Sequence, residues 1–134
     1  MTARDVVGSE AWERLESQPG WSRLLARLER GVRSAPRLYE AAALVPQGRT
    51  LFHAFFSVIT GWAYWQFVKA WKLTEAWRLC HEEPDLPLDE VARRTGYGDD
   101  MALVRAYGAF WGETPRGRPI RTRRRQAGRP RRAR

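Results

Sequence analysis

Residues 87–115, PLDEVARRTGYGDDMALVRAYGAFWGETP, divide into two short amphipathic segments on either side of a glycine-bearing turn. Leu88, Val91 and Ala92 stand at i, i+3 and i+4, which places them on one face of a helix. Gly96 supplies the turn, and Asp99 offers its carboxylate to the first free amides of the next helix. Leu103, Tyr107, Phe110 and Trp111 then recur at helical spacing as the core side of that second helix, and Thr114-Pro115 stops it. Two helices, a short turn and one committed apolar face are the sequence form of a helix-turn-helix, which implies double-stranded DNA as ligand. Asp100, Met101, Val104, Arg105 and Gly108 fall mostly off the core face and are the positions that would meet a groove.

Working upstream, residues 37–61, RLYEAAALVPQGRTLFHAFFSVITG, repeat the layout with different letters. Leu38 and Ala41 begin the first helix, Pro46 to Gly48 fill the turn, and Phe52, Phe55 and Phe56 form the buried side of the second. In both copies a core aromatic is followed five residues on by glycine: Phe56 by Gly61 and Tyr107 by Gly112. Between the copies, residues 62–80 carry two apolar stripes, Tyr64, Phe67, Val68 and Trp71, then Leu73, Ala76, Trp77 and Cys80. At about 100° per residue these stripes point to opposite sides of one helix, so each half must pack on a different body. The segment is expected to be a strut between two helix-turn-helix units. Trp62, Trp65, Trp71 and Trp77, in or beside it, are expected in the core. Upstream again, two helices are expected over residues 9–17, with Ser9 as cap, and 21–33, with Gly20 between them. Leu24, Leu25, Leu28 and Val32 give the second of these a core face against the first unit.

The chain has 134 residues and a net charge of +9, but ten of its 24 basic residues lie in residues 116–134, which contain no acid. The first 115 therefore hold fourteen basic against fifteen acidic residues. The Arg-, Pro- and Gly-rich tail has almost no apolar residue with which to build a core and is expected to be disordered until it meets a polyanion. One cysteine, Cys80, excludes a disulfide framework and Cys-based zinc patterns, and two isolated histidines rebuild no metal site. No cofactor is expected. The N-terminus lacks an apolar stretch with a cleavage site, so a reducing, cytoplasmic setting is expected, nucleoid-associated when bound to DNA. The length leaves no room for a second, ligand-sensing domain.

This order of parts resembles the DNA-binding domain of the AraC/XylS family of bacterial transcription regulators, especially short members that consist of little else. LDEVARRTGYGDD followed by Leu103, Arg105, Tyr107, Gly112, Thr114 and Pro115 is close to the family's signature, and KLTEAWRL, residues 72–79, is similar to its connecting helix. The likeness runs from about Trp21 to Pro119, leaving residues 1–20 as an extension and 116–134 as the tail. The first unit departs from the pattern. Pro46 stands where a turn glycine is usual, Gly48 where a capping Ser is usual, and Thr50, His53 and Ala54 where polar or basic base readers are expected. The resemblance implies an all-α protein with two helix-turn-helix subdomains joined by a long linker helix, bound to DNA as a monomer, with RNA polymerase as a further partner.

In such a protein Arg105 is the leading candidate for a base contact, through a bidentate pair with guanine. Met101 suits a thymine methyl, and Asp100 suits a cytosine amino group or the positioning of Arg105. Arg49, Thr50 and His53 are the corresponding candidates in the first unit, although His53 beside three phenylalanines fits core packing equally well. Two such helices on one strut would enter successive major grooves about 34–36 Å apart. Pro115-Arg116-Gly117-Arg118-Pro119 resembles the core of an AT-hook, partly repeated at Gly128-Arg129-Pro130. Arg116, Arg118, Arg121, Arg123, Arg124 and Arg125 thus serve either a narrow minor groove or phosphates without sequence preference.

Three other readings have less behind them. Tyr97-Gly98-Asp99-Asp100 mimics the acidic turn of RNA-directed polymerases, but a turn and a cap explain it. No nucleophile and base or metal set converges, so no enzyme is expected. Residues 51–68, LFHAFFSVITGWAYWQFV, carry no formal charge and are the basis of an alternative, a small single-pass membrane protein with Lys69 and the basic tail on the cytoplasmic side.

Overall fold

The computed structural model describes residues 1–116. Within them the chain is all-helical, in the order α1 Ala3–Val7, α2 Ser9–Glu16, α3 Ser22–Glu29, a short 3-10 helix Val32–Ser34, α4 Leu38–Ala43, α5 Arg49–Thr60, α6 Tyr64–Glu82, α7 Leu88–Thr95 and α8 Asp100–Trp111. Of the tail expected to be disordered over residues 116–134, only Arg116 is described; residues 117–134, with Arg118, Arg121, Arg123, Arg124 and Arg125, lie outside the described residues.

The two-faced pattern of the linker segment organises everything else. Tyr64, Phe67 and Trp71 of α6 are buried in a first core with Trp12, Leu15, Trp21, Leu24, Leu28, Phe52 and Phe56. Leu73, Ala76 and Leu79 of the same helix are buried in a second core with Val91, Ala92, Leu103 and Tyr107. The switch falls between Trp71 and Leu73, so α6 is a shared strut with one body on each half. It starts and ends two residues later than the sequence suggested, at Tyr64 and Glu82.

The first core is mostly aromatic. Trp21, Phe52, Phe56, Tyr64, Phe67 and Trp71 form a continuous run of rings, with successive centroids 5.2 to 5.9 Å apart in tilted, edge-on or stacked contacts. The buried Tyr64 hydroxyl is satisfied by donating to the Pro36 carbonyl at 2.7 Å, whereas the buried Trp12 indole N–H has no hydrogen-bond partner among the described residues. Residues 1–20 are part of the same body, since Ala3, Trp12 and Leu15 are buried there. Ser9 is not the cap of its helix. Gly8, at φ +94°, occupies the N-cap position without a side-chain bond, because the preceding helix α1 already ends there. Helix α1 carries a capping box: the Thr2 hydroxyl accepts from the Asp5 amide at 3.2 Å and the Asp5 carboxylate accepts from the Thr2 amide at 2.8 Å.

Several large apolar residues expected inside are on the surface. Phe55, Trp65, Trp77, Phe110 and Trp111 are all more than a third exposed. The reason is geometric. In α5 the pair Phe52 and Phe56 fills the core side, which turns Phe55 outward. In α6 Leu79 takes the buried position, and Trp77 lies instead over the His81 ring at 4.0 Å. Phe110 and Trp111 lie beyond the core-facing stretch of α8, which ends at Tyr107; Trp111 is tied to the middle of the strut by its indole N–H, which donates to the Leu73 carbonyl at 2.9 Å.

The uncharged stretch 51–68 is not one helix. It is split between α5 and α6 by Gly61, which is left-handed at φ +78°, and by the extended Ala63. No helix among the described residues is long and apolar enough to cross a membrane.

Candidate nucleic-acid interface

Helices α7 and α8 meet at Gly96, which closes α7 in the left-handed conformation at φ +85°. Tyr97 and Gly98 carry the chain to Asp99, whose Oδ1 accepts from the Ala102 amide at 2.8 Å and starts α8. One side of α8 is committed: Leu103 and Tyr107 are fully buried against α6 and α7. The other side presents Asp100, Met101 and Arg105 to solvent, Met101 being 67 % exposed. Together with Val104, Gly108 and Ala109 they line an open concave strip along the helix. Among the described residues Arg105 has neither an ion pair nor a hydrogen bond, so its guanidinium is free to meet a ligand. Val104, Gly108 and Ala109 make the rest of the strip small and apolar, which lets a flat surface approach the backbone at Gly108 and Ala109.

The cations on α7 are differently placed. Arg93 and Arg94 both bind the Glu90 carboxylate, Arg94 Nε at 2.9 Å, and Arg94 also lies 3.6 Å from Glu83. Their hydrogen bonds, Arg93 first, hold the Glu90 carboxyl down at about 2. On α6, Arg78 is fixed between Glu75 and Glu82 at 2.6 and 2.7 Å. The second unit thus keeps most of its positive charge internally neutralised and leaves Arg105 out.

Helix α5 is built to the same plan as α8, with a different surface. Both end in a left-handed glycine, Gly61 and Gly112, whose amide donates four residues back at 2.8 and 2.9 Å. Arg49, Thr50 and His53 are exposed near the start of α5, but Leu51, Phe55 and Val58 share that exposed surface, Val58 at 77 %. His53 is on the surface, not packed against the phenylalanine core. Gly48 provides no side-chain cap. The six candidate base readers therefore all lie on the surface, three on each helix, and polar groups dominate only on the N-terminal turn of α5.

Arg116, the last described residue, donates to the Pro84 carbonyl at 3.0 Å, which ties the segment after α8 to the α6–α7 loop. Cys80 lies nearby, half-buried, with burial pushing its thiol up and the Arg116 charge opposing. Among the described residues no group of three or more His, Cys, Asp or Glu is placed to hold a metal ion. The chain matches no protein-family model, no curated protein and no solved structure.

One feature of this surface escaped the sequence reading. Lys72, at the switch point of α6, places its ammonium 5.2 Å from the centre of the Tyr97 ring, in the turn before α8. Burial, and then the positive charge of Arg37, lower its proton affinity. The signal was available in local charge counts. Residues 30–74 hold six basic residues and one acid, and residues 75–115 hold four basic residues and nine acids. The near-neutral total concealed this division.

Proposed function

We propose that the protein is a sequence-specific DNA-binding regulator of transcription, similar to AraC/XylS regulators and reading the major groove with α8. The observation that carries the proposal is the two-sidedness of that helix. Leu103 and Tyr107 anchor it to the strut, and the opposite side projects an unpaired Arg105 from a surface it shares with Asp100, Met101 and the small residues Val104, Gly108 and Ala109. An arginine held in this way is suited to the bidentate contact with guanine O6 and N7. Met101, beside it, suits a thymine methyl, and Asp100 suits a cytosine amino group or the orientation of Arg105. The protein acts by binding and not as an enzyme.

The two units contribute unequally. Arg49, Thr50 and His53 would reach bases only from the first turns of α5, because Leu51, Phe55 and Val58 offer a groove nothing to hydrogen-bond. The protein then reads one principal box through α8 as a monomer, with α5 lending contacts at its N-terminal end.

Arg105→Ala tests the assignment. The ratio of affinity for a selected site over random duplex should fall by roughly 10-fold or more, the worth of one bidentate base contact, while binding to random duplex persists. An unchanged ratio would sink the role of α8 as reader.

A further inference from the structure

The unit that carries α8 is the acidic half of the body, and α8 itself begins with Asp99 and Asp100. A duplex approaching this helix meets negative charge where backbone phosphates flank the groove. The compensating cations come from the other half. The backbone of Arg33, in the 3-10 helix, lies against the turn before α8: a β-carbon on Gly96 would stand 3.7 Å from Arg33 Cα and 3.4 Å from Lys72 Cε. Lys72 lies over Tyr97 in that same turn. Arg37, at the start of α4, is close enough to be felt by Lys72.

These three cations are not neutralised inside the protein. Among the described residues none of them has a carboxylate within ion-pair distance, in contrast to Arg78, Arg93 and Arg94. Glu40, the only acid between residues 30 and 74, accepts from the Arg37 backbone amide at 3.0 Å and is the single carboxylate set against the six basic residues of that stretch. Lys72 is half-buried with its stem against Gly96, the Arg33 backbone lies against the same glycine, and the Arg33 and Arg37 side chains are exposed. Like charges gathered without a counterion repel one another, and an anion seated among them relieves that cost.

We propose that Arg33, Arg37 and Lys72 form a phosphate site at the joint between the two units, which takes backbone phosphodiesters of the duplex next to the groove that α8 enters. The site rests on the DNA-binding reading above and adds to it a clamp that neither helix-turn-helix contains alone. It also gives the strut a role beyond spacing, because the first unit must be rigidly placed for its cations to serve the reading helix of the second.

The test is the salt dependence of binding to a duplex of about three helical turns, measured for the full chain and for Arg33→Gln/Arg37→Gln. Both side chains are exposed, and unchanged thermal unfolding checks that the fold is kept. The slope of log affinity against log salt should become shallower by about 1 to 2, near 0.9 for each phosphate no longer neutralised, with the preference for a selected site over random duplex unchanged. Lys72→Met, which keeps the stem and removes the charge, should act in the same direction. A slope equal to that of the parent overturns the site, as does an equal change in the charge-matched control Arg14→Gln/Arg23→Gln on α2 and α3. A parent chain that binds no duplex overturns the DNA-binding reading as well.

Discussion

Pro46 rests directly on Gly20. A β-carbon at residue 20 would lie 2.7 Å from both Cδ and Cγ of the Pro46 ring, and Gly20 is itself left-handed at φ +81°. Next to it the Trp21 indole donates to the Gln47 side chain at 3.0 Å. The turn of the first unit is therefore gripped by the loop between α2 and α3. A proline in this turn, where the AraC/XylS pattern has glycine, is matched by a glycine on the opposing loop. Gly20→Ala introduces both a steric overlap with a rigid ring and backbone strain, together about 2 to 3 kcal/mol. We expect its thermal unfolding midpoint to fall by roughly 10 °C or more, which a calorimetric scan would show.

Asp99 should matter to the start of α8 more than to contact with a ligand. Its carboxylate satisfies the Ala102 amide, and loss of such a cap costs about 1 kcal/mol. Asp99→Ala should lower stability by that amount in urea titration, and Asp99→Asn should restore most of it. The exposed neighbour Asp100 makes no cap bond and acts only through its charge in the first turn of α8, so Asp100→Asn should cost less than Asp99→Ala, about 0.3 to 0.5 kcal/mol.

The helix pair within residues 87–115 and the strut were legible because their apolar residues repeat with helical period and the turn between the paired helices carries glycine. Val91, Ala92, Leu103 and Tyr107 are buried as that period requires, and the change of face on α6 appears as two separate cores. Helix α1 was not legible, because five residues are too few to show a period; its only trace was the spacing of Thr2 and Asp5. The exposed Phe55, Trp65 and Phe110 show the limit of hydrophobicity as a guide, since a helix has one core-facing stripe and surplus aromatics must go elsewhere. The cationic joint was hidden for another reason. Arg33 and Lys72 are distant in sequence from Tyr97, and only the packing of the 3-10 helix and α6 against α7 brings the Arg33 backbone to Gly96 and the Lys72 ammonium to Tyr97.

Stability should depend on acid pH through Glu90. Arg93 and Arg94 hold its folded-state carboxyl at about 2, below its ordinary 4.5. A depressed carboxyl contributes stability that is fully present above the unfolded value and lost as pH falls through the folded one. Between about 4.5 and about 2 the unfolded chain binds the proton first, so stability should decline as pH is lowered across that window. Glu90→Gln should flatten the decline without abolishing it, because Asp5, held low by its bonds with Thr2, contributes in the same direction. Unfolding midpoints of the two proteins at a series of acid pH values should converge as pH falls; parallel curves would show that the Arg93 and Arg94 pairing is not maintained in solution.

The apolar character of the α8 strip bears on the kind of base it would distinguish. Arg105 is its one cation, and Met101, Val104, Gly108 and Ala109 make up most of the remainder. A thioether 67 % exposed on a reading helix gains little from a cytosine edge but buries apolar area against the C5-methyl of thymine. Replacing thymine by uracil in a selected site removes that methyl and changes no hydrogen bond. The loss should be about 1 kcal/mol, roughly 5-fold in affinity, at the position facing Met101. In Met101→Ala the same replacement should have little effect, because the partner of the methyl is already gone. A double cycle of protein and duplex isolates the contact, since it is insensitive to a general weakening of either partner. Additive losses would remove Met101 from the reading surface and leave Arg105 to specify the box.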